Sequence, residues 1–314
     1  KENGTINTIS LQPQQESDFK LALKTVQKSD KEYHLNVYYS LKSEEPFLPK
    51  DYEIATEQLE LKTLPATVFV PSLKKTLELK ESKENCTITG DKFEIVFDLK
   101  KGILSGYSVK GEQFIAEGPK PSFWRAPTDN DIGAGFNVSQ RKWRNAYDNA
   151  TDVQSIVSKN NDGSIQIKFS TKLIDGEASH QQTFTVYGDG SIKVNNEFTA
   201  IKGKNPLLMR AGNDLVINKN FNTINWYGRG PGENYWDRKT NTFIGQFKQS
   251  VDEQYFPYAR PQESGNKTET RWVSFSNAKG QKISFMFADS LLSFSALPYN
   301  INDLDPEAQK KQYH

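Results

Sequence analysis

Pro121-Ser122-Phe123-Trp124-Arg125-Ala126-Pro127-Thr128-Asp129-Asn130-Asp131-Ile132-Gly133 is the stretch from which the fold can be read outward. Two aromatic anchors run into a proline, then into three consecutive hydrogen-bond acceptors, and then into Gly133 and Gly135, which permit backbone angles that other residues resist. The pattern predicts a strand that ends in a braced, polar, hinged loop. Asp-Asn-Asp most simply satisfies its own backbone amides as a turn. Asp129 and Asp131 could also offer oxygens to calcium, but the later glutamate and further ligands of an EF-hand are missing from the spacing.

Around this stretch the sequence reads as β throughout. Phe93-Glu94-Ile95-Val96-Phe97 and Ile165-Gln166-Ile167-Lys168-Phe169 alternate strictly. Gly188-Asp189-Gly190 is placed to join Phe184/Val186 to Ile192/Val194 in a hairpin, and Asn277-Ala278-Lys279-Gly280 to join Val273/Phe275 to Ile283/Phe285. Short strands with turn residues between them argue for a large antiparallel sandwich and against an alternating β-α architecture. Short helices are predicted around Arg141 to Tyr147 and near Pro306, with Asp305 as its cap. In the first third, alternation in Phe19 to Leu23, Leu35 to Tyr39 and Leu59 to Leu61 predicts strands with one apolar face turned inward. Pro65, Pro71 and the charged run Lys74 to Glu84 read as a connector, with domains at 1–66 and 85–314 and a linker or crossing strand at 67–84.

Composition narrows the chemistry. The 314 residues carry 40 basic and 39 acidic side chains, a net charge of +1, so no field draws in nucleic acid or an anionic membrane. A neutral polar partner fits better. No apolar run is long enough for a helical membrane span. One cysteine, Cys86, excludes an internal disulfide and leaves the redox compartment open; three histidines make histidine-rich zinc chemistry a poor fit. The polar start without methionine and the ending at Gln312-Tyr313-His314 read as a piece cut from a longer chain.

Three motifs in order carry a resemblance. The first is the opening stretch; the second is Trp226-Tyr227-Gly228-Arg229-Gly230-Pro231-Gly232-Glu233-Asn234-Tyr235-Trp236-Asp237-Arg238; the third is Tyr258-Ala259-Arg260-Pro261-Gln262-Glu263-Ser264-Gly265-Asn266. Together they resemble the C-terminal region of the large bacterial beta-galactosidases of glycoside hydrolase family 2, most clearly from about Lys83 onward. The resemblance implies a partial immunoglobulin-like sandwich followed by a galactose-mutarotase-like supersandwich truncated at its C-terminus. It also implies hydrolysis of terminal β-galactosides by a catalytic barrel of the same chain that lies outside this sequence, with magnesium and sodium held there, and a homo-oligomer. No catalytic residue, metal ligand or cofactor is carried over to this chain.

One segment does carry over. In the family, the segment directly after the Arg-Ala-Pro-x-Asp-Asn-Asp-Ile-Gly match, here Gly133 to Val138, lies beside the mouth of the sugar pocket and is mobile, so the resemblance marks Asp129, Asn130, Asp131, Gly133, Gly135 and Phe136 as a loop bordering the site. Phe136 could cover a sugar face, but a core plug is its simpler role. Retaining hydrolysis needs two carboxyls about 5 Å apart. Glu233, Asp237 and Glu263 read instead as acceptors for backbone amides, and Arg125 and Arg238 as partners of Asp129, Asp131 or Asp237 in a network holding the loops in register. The strand-borne tryptophans read as core residues. A stand-alone carbohydrate-binding sandwich and a mutarotase-like enzyme are the alternatives. The second needs a histidine with a carboxylate, and the sole candidate, His180, reads as an ordinary strand-end residue.

Overall fold

A computed structural model describes residues 2–6, 10–25, 28, 30–62, 70–72, 76–202, 207–287 and 290–305. The chain forms two compact units, Lys1–Thr67 and Val68–His314. Among the described residues it is all-β, with antiparallel sheets and only one-turn helices.

In the first unit, β1 (Tyr33–Ser40) and β2 (Glu53–Lys62) pair as an antiparallel ribbon. Its predicted inward face is only partly formed: Leu35 and Val37 are half-buried, whereas Tyr38, Tyr39, Leu59 and Leu61 are exposed. The strand predicted over Phe19 to Leu23 does not form. Alternation supplies a face, but a strand also needs a neighbour to pair its backbone, and Phe19, Leu21 and Leu23 lie exposed with no ladder beside them. Just beyond, the Glu2 carboxylate accepts hydrogen bonds from the amides of Lys24 and Thr25 at 2.9–3.1 Å.

The second unit begins with β3 (Glu78–Glu81), β4 (Asn85–Thr89), β5 (Phe93–Asp98), β6 (Ile103–Val109) and β7 (Glu112–Ser122). After one-turn helices α1 (Asp129–Gly133) and α2 (Phe136–Ser139) come β8 (Thr151–Lys159), β9 (Ile165–Leu173), β10 (Ala178–Val186) and β11 (Ile192–Ala200). The remainder is β12 (Gly212–Ile217), β13 (Thr223–Gly230), β14 (Phe243–Ser250), β15 (Lys267–Thr270), β16 (Trp272–Ser276), β17 (Lys282–Met286), β18 (Leu292–Phe294) and α3 (Ile301–Leu304). Sheet orders are β12-β7-β6-β5-β4-β3, β11-β10-β9-β8, β14-β13-β16-β17 and the pair β15-β18.

Alternating apolar residues explain why these sheets stack. Ile88, Ile95, Phe97 and Leu104 of the six-stranded sheet meet Ile165, Ile167, Phe169 and Phe184 of the β8–β11 sheet, each at most 1% exposed. Phe97 and Phe184 pack edge-on with centroids 5.1 Å apart. A second core joins Phe114 on β7 to Ile224, Trp226, Val273 and Phe275 of the third sheet. Both predicted hairpins form, with Val186 opposite Ile192 and Ser276 opposite Lys282. Cys86 is a core residue whose thiol burial pushes up to about 11.

Between Arg141 and Tyr147 the predicted helix is reduced to one 3₁₀ turn, Arg141–Trp143, followed by turns. A short helix not predicted from sequence, α3, precedes Pro306: Asn300 caps it, accepting from the amides of Asn302 and Asp303, and Asp305 ends it. The helix predicted from Pro306 lies outside the described residues.

A third cluster, Phe123, Trp143, Ala146, Tyr147, Leu173 and Ala178, anchors the motif stretch on both sides. His180 belongs with it. It lies inside β10, 4% exposed, with its ring 5.7 Å from Phe123 and 6.1 Å from Tyr147. Burial pushes its pKa from the usual 6.5 down to about 4, against an opposing hydrogen bond to the Asn196 side chain. Because the folded value lies below the unfolded one, the unfolded chain binds more protons between about pH 4 and 6.5, and stability must rise with pH across that window. Urea denaturation at pH 7 and pH 5 is expected to show a drop that His180→Gln flattens; an equal drop in the variant would contradict this.

Candidate functional site

The stretch after β7 begins buried and ends polar. Phe123, Trp124 and Ala126 are at most 4% exposed, so the chain enters α1 from a fixed direction. Thr128 caps the helix. Its hydroxyl accepts from the Asp131 amide at 3.2 Å, while the Asp131 carboxylate accepts from the Thr128 amide at 2.9 Å. The other Asp131 oxygen pairs with Arg125 at 2.9 Å. Asp131 is 5% exposed, so all of its acceptor capacity is turned toward the chain. The polar loop is therefore a capped helical turn, and the spacing Thr128-x-x-Asp131 is the signal that sequence reading missed.

Asp129 faces outward and ties this turn to the third motif. Its amide donates to Gln262 Oε1 at 3.3 Å, and its carboxylate accepts from Arg260 and Gln262, each at 3.3 Å. Gly135 takes φ +71° as the N-cap of α2, the left-handed conformation glycine supplies without strain. Phe136 is half-buried and belongs to none of the three apolar clusters, which corrects the core-plug reading. Asn130 and Gly133 are exposed.

The second and third motifs lock together below. Asn234 is fully buried: its amide donates to Asn266 O at 2.8 Å, and its side-chain carbonyl accepts from the Thr268 amide at 2.8 Å and hydroxyl at 2.6 Å. Asn266 returns a bond from its side chain to Asn234 O at 2.7 Å. Glu233 accepts from the Gly265 amide at 2.8 Å, from Arg238 at 2.5 Å and from the Tyr258 hydroxyl. Arg238 thus pairs with Glu233 and not with Asp237, which is exposed; the guanidinium folds back over the Tyr235 ring, 4.7 Å from its centroid. Gly265 cannot be replaced easily, since it has φ +75° and a Cβ there would lie 2.5 Å from Gln254 O.

Glu263 is 6% exposed and engaged by Arg210 at 2.5 Å and Ser295 at 3.3 Å. Lys267, 2% exposed, donates to Gly265 O at 3.2 Å and lies 5.5 Å from the Trp226 ring. Burial pushes its pKa down to about 8, against the opposing charge of Glu233. Burial likewise raises the Tyr235 phenol, with Glu263 and Glu233 adding to the effect. Each acidic group of the three motifs except Asp237 is spent on a cation, a hydroxyl or a backbone amide. Among the described residues no group of three or more His, Cys, Asp or Glu side chains is disposed to hold a metal ion. His180 packs among aromatic rings and forms no ion pair with a carboxylate.

Tryptophans divide unevenly. Trp124, Trp143 and Trp226 are at most 1% exposed, as expected of core residues, and Trp272 is intermediate. Trp236 departs from that expectation at 62% exposure.

A family model for the beta galactosidase small chain matches residues 89–314, spanning all three motifs. The chain belongs to the beta-galactosidase small-chain family. A second model, for domain 4 of beta-galactosidase, matches residues 1–62 of this small-chain member. A beta-galactosidase of Priestia megaterium is 33% identical over 277 residues, covering 87% of this chain and 26% of that protein. One from Lactobacillus delbrueckii subsp. bulgaricus is 29% identical over 303 residues (95% and 29%), and one from Streptococcus thermophilus 29% identical over 292 residues (92% and 28%). The chain thus spans less than a third of the length of these relatives.

Because Asn234 satisfies several buried groups at once, its removal orphans them together. Asn234→Ala is expected to cost more than about 2 kcal/mol in chemical denaturation. A loss below about 0.5 kcal/mol, the range of ordinary surface substitutions, would contradict the clamp.

Proposed function

We propose that this chain is the non-catalytic part of a beta-galactosidase that hydrolyses terminal β-galactosides, bordering the active-site entrance of a catalytic barrel in the same polypeptide and supporting assembly into a homo-oligomer. The observation that carries the reading is the small-chain match over residues 89–314, joined to the commitment of Glu233 and Glu263 to structural partners. A retaining mechanism needs one carboxyl to hold a proton and another to attack carbon, with about 5 Å between them. A carboxylate already accepting from arginine and a backbone amide is poorly disposed to either role. Magnesium and sodium, on this reading, are held by the catalytic portion, since the acidic groups of the motifs here other than Asp237 are occupied by Arg125, Arg210, Arg238 and Arg260.

What the chain contributes is position. The turn from Asp129 to Gly133 is rooted by Asp131 and braced by Gln262, while Gly133, Gly135 and half-buried Phe136 follow as the adaptable border segment. A rigid base beneath a glycine-bearing rim is the arrangement required of a segment that moves against a sugar without loosening its own domain.

The purified chain, offered a chromogenic β-galactoside, is expected to give no hydrolysis above the uncatalysed rate. Turnover by the chain alone that Glu233→Gln or Glu263→Gln abolished would overturn the proposal.

A further inference from the structure

Trp236 stands at the tip of a tight turn closed by reciprocal backbone hydrogen bonds, Tyr235 N to Arg238 O at 3.3 Å and Arg238 N to Tyr235 O at 3.0 Å. The turn is immobilised from within by Asn234 and by the pairing of Arg238 with Glu233. Beside the indole, Lys239 Nζ lies 4.3 Å from the ring centroid. That lysine is itself fixed, with its ammonium 2.5 Å from Glu269 Oε1, and Glu269 holds a left-handed φ of +52° while also pairing with Arg229. A bulky non-glycine residue in that region costs backbone energy, so the strand stores strain where it sets the lysine against the indole.

A ring with a cation over one face and 62% of its surface exposed offers its other face to solvent. Isolated exposed apolar residues are ordinary. Here, however, the indole is preorganised and its neighbour Asp237 is exposed and takes part in no ion pair or hydrogen bond among the described residues, whereas Arg238 and Lys239 are both neutralised by glutamates. The turn therefore carries an exposed indole and, at the next residue, a carboxylate with no partner among the described residues.

We propose that Trp236 and Asp237 form a carbohydrate platform that takes a neutral pyranose with an apolar C–H face. The sugar's C–H face stacks on the indole and its hydroxyls donate to the Asp237 carboxylate. Ring size and planarity match the stacking, and the acceptor-only carboxylate selects hydroxyl donors over acidic sugars. Affinity is expected to be on the order of millimolar, because one stacking contact and one or two exposed hydrogen bonds do little more than offset the cost of association. The platform stands apart from the proposed function: turnover by the chain would leave it intact, and its failure would leave the proposed function intact.

The test is nitrogen-proton NMR of the intact chain titrated with methyl β-D-galactopyranoside, the Trp236 indole N–H being assigned by its loss in Trp236→Phe. A saturable shift confined to that signal is expected, with at least about a tenfold loss of affinity in Trp236→Ala by saturation-transfer NMR and a smaller loss in Asp237→Asn. Glucuronate and the open-chain polyol mannitol should bind more weakly. Absence of a saturable Trp236 shift, equal response to mannitol, or undiminished sugar binding in Trp236→Ala would overturn the platform. So would self-association of the chain that Trp236→Ala abolishes, which would make this turn an interface between copies.

Discussion

A single buried amide holds the motif region together. Asn234 has no access to water; its backbone groups and side-chain carbonyl are matched by Asn266 of the third motif and Thr268 of β15, and its side-chain amide donates to Gly232 O within its own motif. In a low-dielectric interior such a set is stabilising only while complete, since separating the segments would strand several donors and acceptors at once. The two loops consequently behave as one body. Glu233, immediately before this residue, then has a fixed place from which to accept the Gly265 amide, Arg238 and Tyr258.

This closure decides what the nearby charges can do. Asp131 is consumed by capping and by Arg125, Glu263 by Arg210, and Glu233 by its three donors, so the acidic residues that look available in sequence are already bound in the fold. The buried ammonium of Lys267 adds to the cost of opening the region, because it is paired mainly with a carbonyl and an aromatic face. Surface-facing Asp129 performs the remaining linkage, carrying the first motif to the third through Arg260 and Gln262.

Much of the fold was legible because local rules and burial agreed. Strict alternation in Phe93–Phe97 and Ile165–Phe169 becomes two facing strands, and the glycine turns at 188–190 and 277–280 become hairpins in the predicted register. Phe19–Leu23 shows the limit, since alternation specifies a face but not a neighbour to pair with. The helical turn at Asp129–Gly133 was hidden because Asp-Asn-Asp reads equally as a turn, although the Thr128-Asp131 spacing announced it. Pairing between motifs was not legible at all. Arg238 had Asp237 beside it in sequence, yet folding back over Tyr235 delivers it to Glu233, a choice made by three-dimensional packing. Exposure of Trp236 was equally hidden, because nothing local distinguishes a turn-tip tryptophan from a core one.

The claim that these carboxylates are clamps, not reactants, is tested most directly by Glu233→Gln in a longer beta-galactosidase that carries this sequence, measuring kcat and thermal stability together. A clamp predicts a lowered Tm with kcat retained to within about tenfold, because the amide keeps the shape but weakens the charged pairings. A fall in kcat of about a thousandfold or more at unchanged Tm, the signature of a lost acid, base or nucleophile, would contradict it.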